Sequence, residues 1–165
     1  MVELNRAPQQ PDLVFVVDDP RADDVLQLLE VHLAYSYEHS PPEHVHALDV
    51  EELLDPTVTF FSARCDGVLL AVGALKHLDA SHSEIKSMHT SETARRLGIG
   101  RAMLGHLLEV ARERRYRQVS LETGTMDAYR AARAMYADAG FTVCEPFGQY
   151  TRNPYSTCMT IRLDP

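Results

Sequence analysis

A turn with two glycines constrains this chain most, because it joins a predicted strand to a predicted helix. The turn runs Arg95-Arg96-Leu97-Gly98-Ile99-Gly100-Arg101. Backbone amides at a helix start lack partners within the helix, and the helix dipole adds positive potential there. Gly98 and Gly100 let a ligand approach the backbone closely. The turn therefore favours a site for an anion such as phosphate; an ordinary helix start with two glycines is the alternative.

Two other nucleotide-binding loops fit this turn less well. A dinucleotide-binding fingerprint requires G-x-G-x-x-G and an acidic residue about twenty positions further on. The chain reads GIGRAM and lacks the third glycine, although Glu122 does end the next predicted strand. A Walker A loop requires G-K-[S/T], which is absent. The dinucleotide interpretation is therefore weakened and the Walker A interpretation is excluded.

The hydrophobic pattern predicts strands and helices that alternate along one domain. Residues 1–12 are expected to be a loose leader, and residues 13–165 form the domain. Asp19-Pro20 is typical of a helix start, and Asp66-Gly67 predicts a two-residue hairpin. The segment from Tyr35 to His46 is expected to be a loop, either solvated or facing a substrate. Strands are predicted over residues 13–17, 57–65, 68–77, 84–90, 118–122, 141–144 and 157–163, and helices over 20–33, 49–54, 101–115 and 127–139.

This order of elements predicts an α/β (α+β) fold with one mixed sheet covered by helices. The composition of the chain limits the classes of function that it can have. The formal charge of -8 argues against a general nucleic-acid binder. No apolar run approaches the ~20 residues that span a bilayer, so no membrane partner is expected. Three scattered cysteines and no metal-binding motif predict a reduced, cytoplasmic chain without a metal.

The chain contains Arg95-x-x-Gly98-x-Gly100 and, further on, the string AARAMY, residues 131–136, followed by AGF, residues 139–141. These two motifs resemble the Q/R-x-x-G-x-G/A signature and the A-x-x-L-Y-x-x-x-G-F block of the GNAT superfamily of acyl-CoA N-acyltransferases. Longer strings are similar to a subgroup of small bacterial acetyltransferases. The resemblance implies a single GNAT-like domain with a mixed, largely antiparallel sheet that splays at its middle.

The resemblance also implies a binding mode for acetyl-CoA. The pantetheine arm would enter the splayed sheet and bond to the backbone like an added strand. The pyrophosphate would lie on the amides of the glycine turn. Tyr129 stands where the family often has a cofactor-contacting asparagine, so a contact from Tyr129 is not expected. The residues implied for the cofactor are Met88, His89, Thr90, Arg95, Arg96, Leu97, Gly98, Ile99, Gly100 and Arg101.

Acetyl transfer to an amine suits a general base and a general acid. Tyr136 matches the family tyrosine that protonates the leaving thiolate; a packed core tyrosine is the alternative. Glu84 matches a glutamate base of the histone-modifying members, while Glu122 and a water chain remain open. Strand alternation predicts that His89 faces away from Glu84.

The resulting hypothesis is an N-acetyltransferase that moves acetyl from acetyl-CoA to a primary amine of a small molecule or amino-acid-like acceptor. A protein or peptide acceptor is a second possibility, and a non-catalytic acyl-CoA sensor is a third. By family analogy the resemblance implies a homodimer formed through the final strands. Cys144 and Cys158 are expected to be buried, inert thiols rather than acyl carriers.

Overall fold

A computed structural model describes residues 11–47 and 49–164, so most of the expected leader lies outside the described residues. The strands are β1 Val14–Val17, β2 Val58–Cys65, β3 Val68–His77, β4 His82–Thr90, β5 Gln118–Gly124, β6 Thr142–Cys144 and β7 Ser156–Arg162. The helices are α1 Asp23–His39, α2 Val50–Leu53, α3 Ile99–Glu113 and α4 Arg130–Asp138. Short 3₁₀ turns occupy Pro42–His44, Glu92–Ala94 and Asp127–Tyr129.

The described strands form one sheet in the order β1-β2-β3-β4-β5-β7-β6. Every neighbouring pair is antiparallel except β4 and β5, which are parallel. The β2–β3 hairpin turns at Asp66 and Gly67, whose φ angles of 49° and 80° are both left-handed. A two-residue hairpin needs that geometry, because it matches the twist of the strands. The predicted hairpin and the mixed sheet are confirmed.

The parallel strands β4 and β5 pair only at their beginnings. The register joins His82–Glu84 to Gln118–Ser120, and no further pair of these two strands occurs among the described residues. The remaining halves of β4 and β5 therefore diverge and leave backbone groups of both strands without ladder partners. This confirms the splayed sheet that the family resemblance implied.

A β-bulge interrupts β4 just where the strands diverge. Ala74 pairs with Lys86, but Val72 pairs with His89, so β4 has one residue more than β3 over this stretch. Ser87 lies in the extra length and has a left-handed φ of 55°. A bulge of this kind reverses the alternation of side chains beyond it.

The bulge overturns the prediction that His89 faces away from Glu84. Cross-strand partners share a face of the sheet, and the partners of Glu84, Lys86 and His89 are Lys76, Ala74 and Val72. These partners occupy every second position of β3 and therefore share one face, so the three β4 side chains also lie on that face. The prediction failed because it assumed an unbroken strand.

Helices cover both faces of the sheet, as expected. The larger core lies between the sheet and helices α3 and α4, and the smaller core lies under α1 and α2. The predicted apolar stripe of α3 is buried, because its spacing of three and four residues turns one side of the helix to the sheet. Its members are Met103, Leu104, Leu107, Leu108 and Ala111.

The start of α1 differs from the prediction. The helix begins at Asp23, and the Asp19 carboxylate instead accepts a hydrogen bond from the backbone amide of Arg21 at 2.9 Å. Asp19 therefore stabilises a turn before the helix. Helix α1 also continues to His39, so the predicted loop from Tyr35 begins only after a further turn of helix.

Three other helix signals can be compared with the structure. Asp49 caps α2: its carboxylate accepts from the Glu52 amide at 2.9 Å, while the Glu52 carboxylate accepts from the Asp49 amide at 3.0 Å. Gly140 follows α4 with a left-handed φ of 104°, as predicted for a helix end. Asp127 begins a 3₁₀ turn and makes no capping bond, so its predicted role as a cap of α4 was wrong.

Candidate active site

A cavity of about 130 Å³ occupies the gap between the diverging halves of β4 and β5. Helix α1, the following loop and helix α4 close its other sides. An engineered protein cavity of about 150 Å³ holds a benzene molecule, so this space suits a small group. Its polar lining comes from His32, Ser36, Ser40, His44, His46, Lys86, Ser87, Glu122, Thr123, Tyr129, Tyr136 and Tyr155.

Glu122 lies on β5 at the wall of this cavity. Burial raises the pKa of its carboxyl group to about 7; the positive charge of Lys86 opposes this rise, and the negative charge of Glu84 adds to it. A carboxyl group with a pKa near neutrality exchanges protons readily at physiological pH. Glu122 therefore has the chemistry of a general base or acid.

Tyr136 lies on α4 and lines the same cavity. Only 7% of the residue is exposed, and its ring packs edge-on against Phe141 with centroids 5.9 Å apart. Burial, and then the nearby charge of Glu122, raise the pKa of its hydroxyl group above the usual value. The hydroxyl group therefore keeps its proton and remains a donor. Tyr136 is thus a packed core tyrosine, which was the alternative interpretation of its motif, and it also lines the cavity.

Glu84 does not line the cavity, although it lies on the neighbouring strand. It is 4% exposed, and it accepts a hydrogen bond from the Tyr150 hydroxyl. The Lys86 ammonium lies 3.5 Å from the Glu84 carboxylate and donates to the Tyr150 hydroxyl at 2.7 Å. A third bond joins Lys86 to the backbone carbonyl of His46 at 2.9 Å. The Glu84 carboxylate is thus the counter-charge of the buried Lys86 ammonium.

The structure therefore brings Tyr136 together with Glu122 rather than with Glu84. The base assignment to Glu84 stays a prediction that this arrangement disfavours. Lys86 and Tyr150 were missed, since Tyr150 is 66 residues from Glu84 and no local pattern connects them.

The glycine turn has the backbone geometry of an anion site. Arg96 and Gly98 have left-handed φ angles of 63° and 78°. The first bond of α3 runs from the amide of Ala102 to the carbonyl of Gly98, at 3.0 Å. Within residues 11–47 and 49–164, no backbone carbonyl accepts a bond from the amides of residues 97–101. Successive free amides at a helix start form a concave anion-binding surface.

The side chains of the turn contribute unequally. Arg95, Arg96 and Leu97 are exposed. Arg101 is already paired with Asp138 on α4 at 2.7 Å. A Cβ atom on Gly100 would lie 3.3 Å from the Thr90 hydroxyl oxygen, so a larger residue would crowd the end of β4. Glycine at this position keeps the turn close to the strand.

The implied pantetheine-contacting residues lie on the unpaired half of β4. Met88 packs against the larger core, whereas His89 faces α1 and lies 3.2 Å from His32, measured between their Nδ1 atoms. The backbone of these residues and of Thr90 lies beyond the last pair with β5. It is therefore open to an added strand-like ligand.

Tyr129 has a packing role that the sequence did not reveal. A Cβ atom on Gly124 would lie 2.3 Å from Cδ2 of the Tyr129 ring. The ring packs edge-on against Tyr35 at 5.8 Å, and its hydroxyl lies 3.2 Å from Ser40 Oγ. The tyrosine therefore fills the end of the gap and links α1 to the end of β5.

Solved structures share this fold. A chain from Klebsiella pneumoniae has a TM-score of 0.79 and 23% identity, with 93% of this chain and 99% of that chain covered. A Bacillus subtilis acetyltransferase in complex with CoA has a TM-score of 0.69 and 16% identity, with 92% and 99% covered. These two likenesses show that the chain shares the fold of those proteins.

Sequence comparison identifies the family. The family model for the acetyltransferase (GNAT) family matches residues 23–141. The chain is 44% identical to the uncharacterized N-acetyltransferase YsnE of Bacillus subtilis, over 89% of this chain and 97% of that protein. It is 33% identical to the IAA acetyltransferase of Azospirillum brasilense, over 90% and 97%. The chain belongs to the GNAT family and is an acetyl-CoA-dependent N-acetyltransferase.

Among the described residues, no helix is both long and apolar enough to cross a bilayer. No group of three or more potential metal ligands occurs within the part of the chain that the structure describes.

Proposed function

We propose that the chain transfers the acetyl group of acetyl-CoA to the primary amine of a small-molecule or amino-acid-like acceptor by direct attack on the thioester. The observation that carries this proposal is the shared cavity of Glu122 and Tyr136 in the gap between β4 and β5. A base and an acid that line one small space suit proton removal and proton donation in a single transfer.

The cofactor would bind mainly through backbone groups. Its pyrophosphate would lie on the amides between Arg96 and Arg101, and its pantetheine arm would extend along Met88, His89 and Thr90. The left-handed turn and the unpaired edge of β4 support this fit. Backbone contacts of this kind tolerate different side chains, which is consistent with the arginine at position 96.

The bound thioester supplies an activated acetyl group, and the residues of the chain move the protons. Glu122 accepts a proton from the acceptor ammonium, which leaves a nucleophilic amine. The nitrogen forms a bond to the acetyl carbon as the bond from carbon to sulfur breaks. Tyr136 gives its proton to the departing sulfur. The nitrogen, now bonded to the acetyl carbon, loses its extra proton, which restores the Tyr136 hydroxyl directly or through solvent. The raised pKa of Glu122 supports its role as the base, and the raised pKa of Tyr136 keeps its hydroxyl group protonated before the transfer.

The cavity size supports a small acceptor over a folded protein surface. The relative named as an IAA acetyltransferase also supports a small acceptor. A peptide acceptor would need to insert its amine through the segment between Ser40 and Ala47, which closes one side of the cavity.

The test measures free thiol release from acetyl-CoA with a panel of amines, amino acids and peptides, alongside calorimetry of CoA binding. Release that depends on a small amine supports the proposal. Release with peptides alone would show that the acceptor is a peptide and not a small molecule. Tight CoA binding without thiol release from any amine would favour a sensor. Sedimentation of the same sample tests the homodimer, which stays a prediction.

A further inference from the structure

Two histidines on different elements share a hydrogen bond beside the cavity. His32 on α1 and His89 on β4 contact each other through their Nδ1 atoms at 3.2 Å, with ring centroids 4.9 Å apart. A hydrogen bond between two imidazole nitrogens contains one proton. One neutral ring must donate from Nδ1, and the other must accept at Nδ1 and hold its own proton on Nε2.

The surroundings of His89 indicate which ring donates. Its Nε2 atom is buried without a hydrogen-bond partner among the described residues. A buried N–H group without an acceptor is rarer than an unpaired buried acceptor, because the lost bond to water is not replaced. His89 therefore has its proton on Nδ1 and donates it to His32. It follows that His32 has its proton on Nε2.

His32 lines the cavity. Its Nε2 atom has no hydrogen-bond partner in residues 11–47 and 49–164 and, unlike Nε2 of His89, is not fully buried. Burial lowers the pKa of His32 to about 4. Burial, with the charges of His32 and Arg95, lowers that of His89 to about 3. Both rings are neutral at physiological pH.

We propose that the Nε2–H group of His32 binds an oxygen of the acceptor, so that the enzyme prefers amines with a nearby carboxylate or carbonyl oxygen, as in amino acids and their amides. This inference rests on the proposed function and deepens it by naming the acceptor class. His89 is a positioning residue, because it holds the tautomer and the ring orientation of His32. Glu122 and His32 line the same small cavity, so the amine and the oxygen of one small acceptor can contact both residues.

The first experiment measures the tautomers directly. Long-range ¹⁵N–¹H correlation spectra of histidine-labelled protein, assigned with His32→Gln and His89→Gln, report which nitrogens are protonated. We expect Nε2–H for His32 and Nδ1–H for His89, without titration between pH 5.5 and 8. The reverse tautomers, or titration of either ring near pH 6.5, would overturn the inference. This readout needs no substrate, so it decides the tautomer even if the proposed function fails.

The second experiment uses three matched amines: valine, valinamide and isobutylamine, which lacks the oxygen. We expect His32→Leu to lower kcat/KM for valine and valinamide by about 10-fold or more, since a buried hydrogen bond is lost, and to leave isobutylamine unchanged. His32→Gln, which keeps an N–H donor, should restore most of the loss. An equal loss for all three amines would overturn the acceptor contact and indicate a contact to the acetyl group. If wild type releases thiol with none of them, valine titrated into the labelled protein must shift the His32 Nε2 signal, and an unchanged signal overturns the inference.

Discussion

The ammonium group of Lys86 lies 3.5 Å from the carboxylate of Glu84 in the protein interior, and both side chains are at most 10% exposed. The Tyr150 hydroxyl bonds to both partners. A buried charge that loses its partner is strongly destabilising, because the protein interior does not solvate it as water does.

Glu84→Gln is therefore expected to destabilise the fold by about 3 kcal/mol, because it removes the carboxylate that pairs with the buried Lys86 ammonium. Urea denaturation measures the loss. Glu109→Gln is the matched control: its ion pair with Arg112 is exposed on α3, so the change should be below about 0.5 kcal/mol. Unchanged stability together with a lost alkaline rise in activity would return Glu84 to the role of base.

Glu122→Gln is expected to lower kcat by about 100-fold or more, the usual contribution of a general base, with CoA affinity unchanged. In wild type, kcat/KM should rise with pH through about 7, since only the deprotonated carboxylate accepts a proton. The variant should lack this rise. A pH–rate profile with the same rise in both proteins would exclude Glu122 as the base.

The thermal stability of Glu122→Gln tests the raised pKa of Glu122 independently of activity. The folded pKa of Glu122 is raised from 4.5 to about 7, so the stabilising effect of its protonated form is complete below pH 4.5 and is lost as the pH rises through 7. Glu122→Gln should therefore raise Tm relative to wild type at pH 8 and have little effect at pH 4.5. Equal Tm differences at both values would contradict the raised pKa.

Tyr136→Phe is expected to lower turnover by about 10- to 100-fold, because the departing sulfur loses its proton donor. CoA affinity from calorimetry should change little. Tyr37→Phe removes a hydroxyl from a tyrosine that is 52% exposed on α1 and serves as the control. Wild-type turnover in Tyr136→Phe would leave the tyrosine with a packing role only.

Gly98→Glu is expected to abolish measurable CoA binding by calorimetry, because a carboxylate would repel the pyrophosphate and glutamate disfavours the left-handed φ of 78°. Gly105→Ala, inside the helix α3 that follows Gly98, is the control. Its added Cβ would point into open space, so the fold should gain about 1 kcal/mol with CoA binding intact. Retained affinity in Gly98→Glu would remove the turn from the cofactor site.

Arg96→Gly is expected to stabilise the fold by up to about 1 kcal/mol, because Arg96 has a left-handed φ of 63° that glycine adopts without strain. Arg95→Gly is the matched control. Arg95 is extended, with φ -68°, so glycine there should only add freedom to the unfolded chain and lower stability. Denaturation of the two variants should give shifts of opposite sign.

Much of the fold could be predicted because its signals are local. The hairpin at Asp66-Gly67, the stripe of α3 and the glycine turn each depend on residues within one or two turns of chain. The motif around Tyr136 likewise identified a residue that lines the cavity. The start of α1 was missed because Asp19 stabilises a turn with the same side-chain bonds that would cap a helix.

The sequence by itself determined the family, the element order and the backbone site for an anion, since each follows from short-range patterns. The tertiary structure alone decided which carboxylate faces the cavity and which histidines meet. Glu84 and Glu122 both end up on one sheet face, but Lys86 and the distant Tyr150 enclose the first and leave the second open. The bulge at Ser87 turned His89 toward His32. Which side chains meet depends on contacts between residues far apart in the chain. The alternation of side chains within one strand cannot predict these contacts.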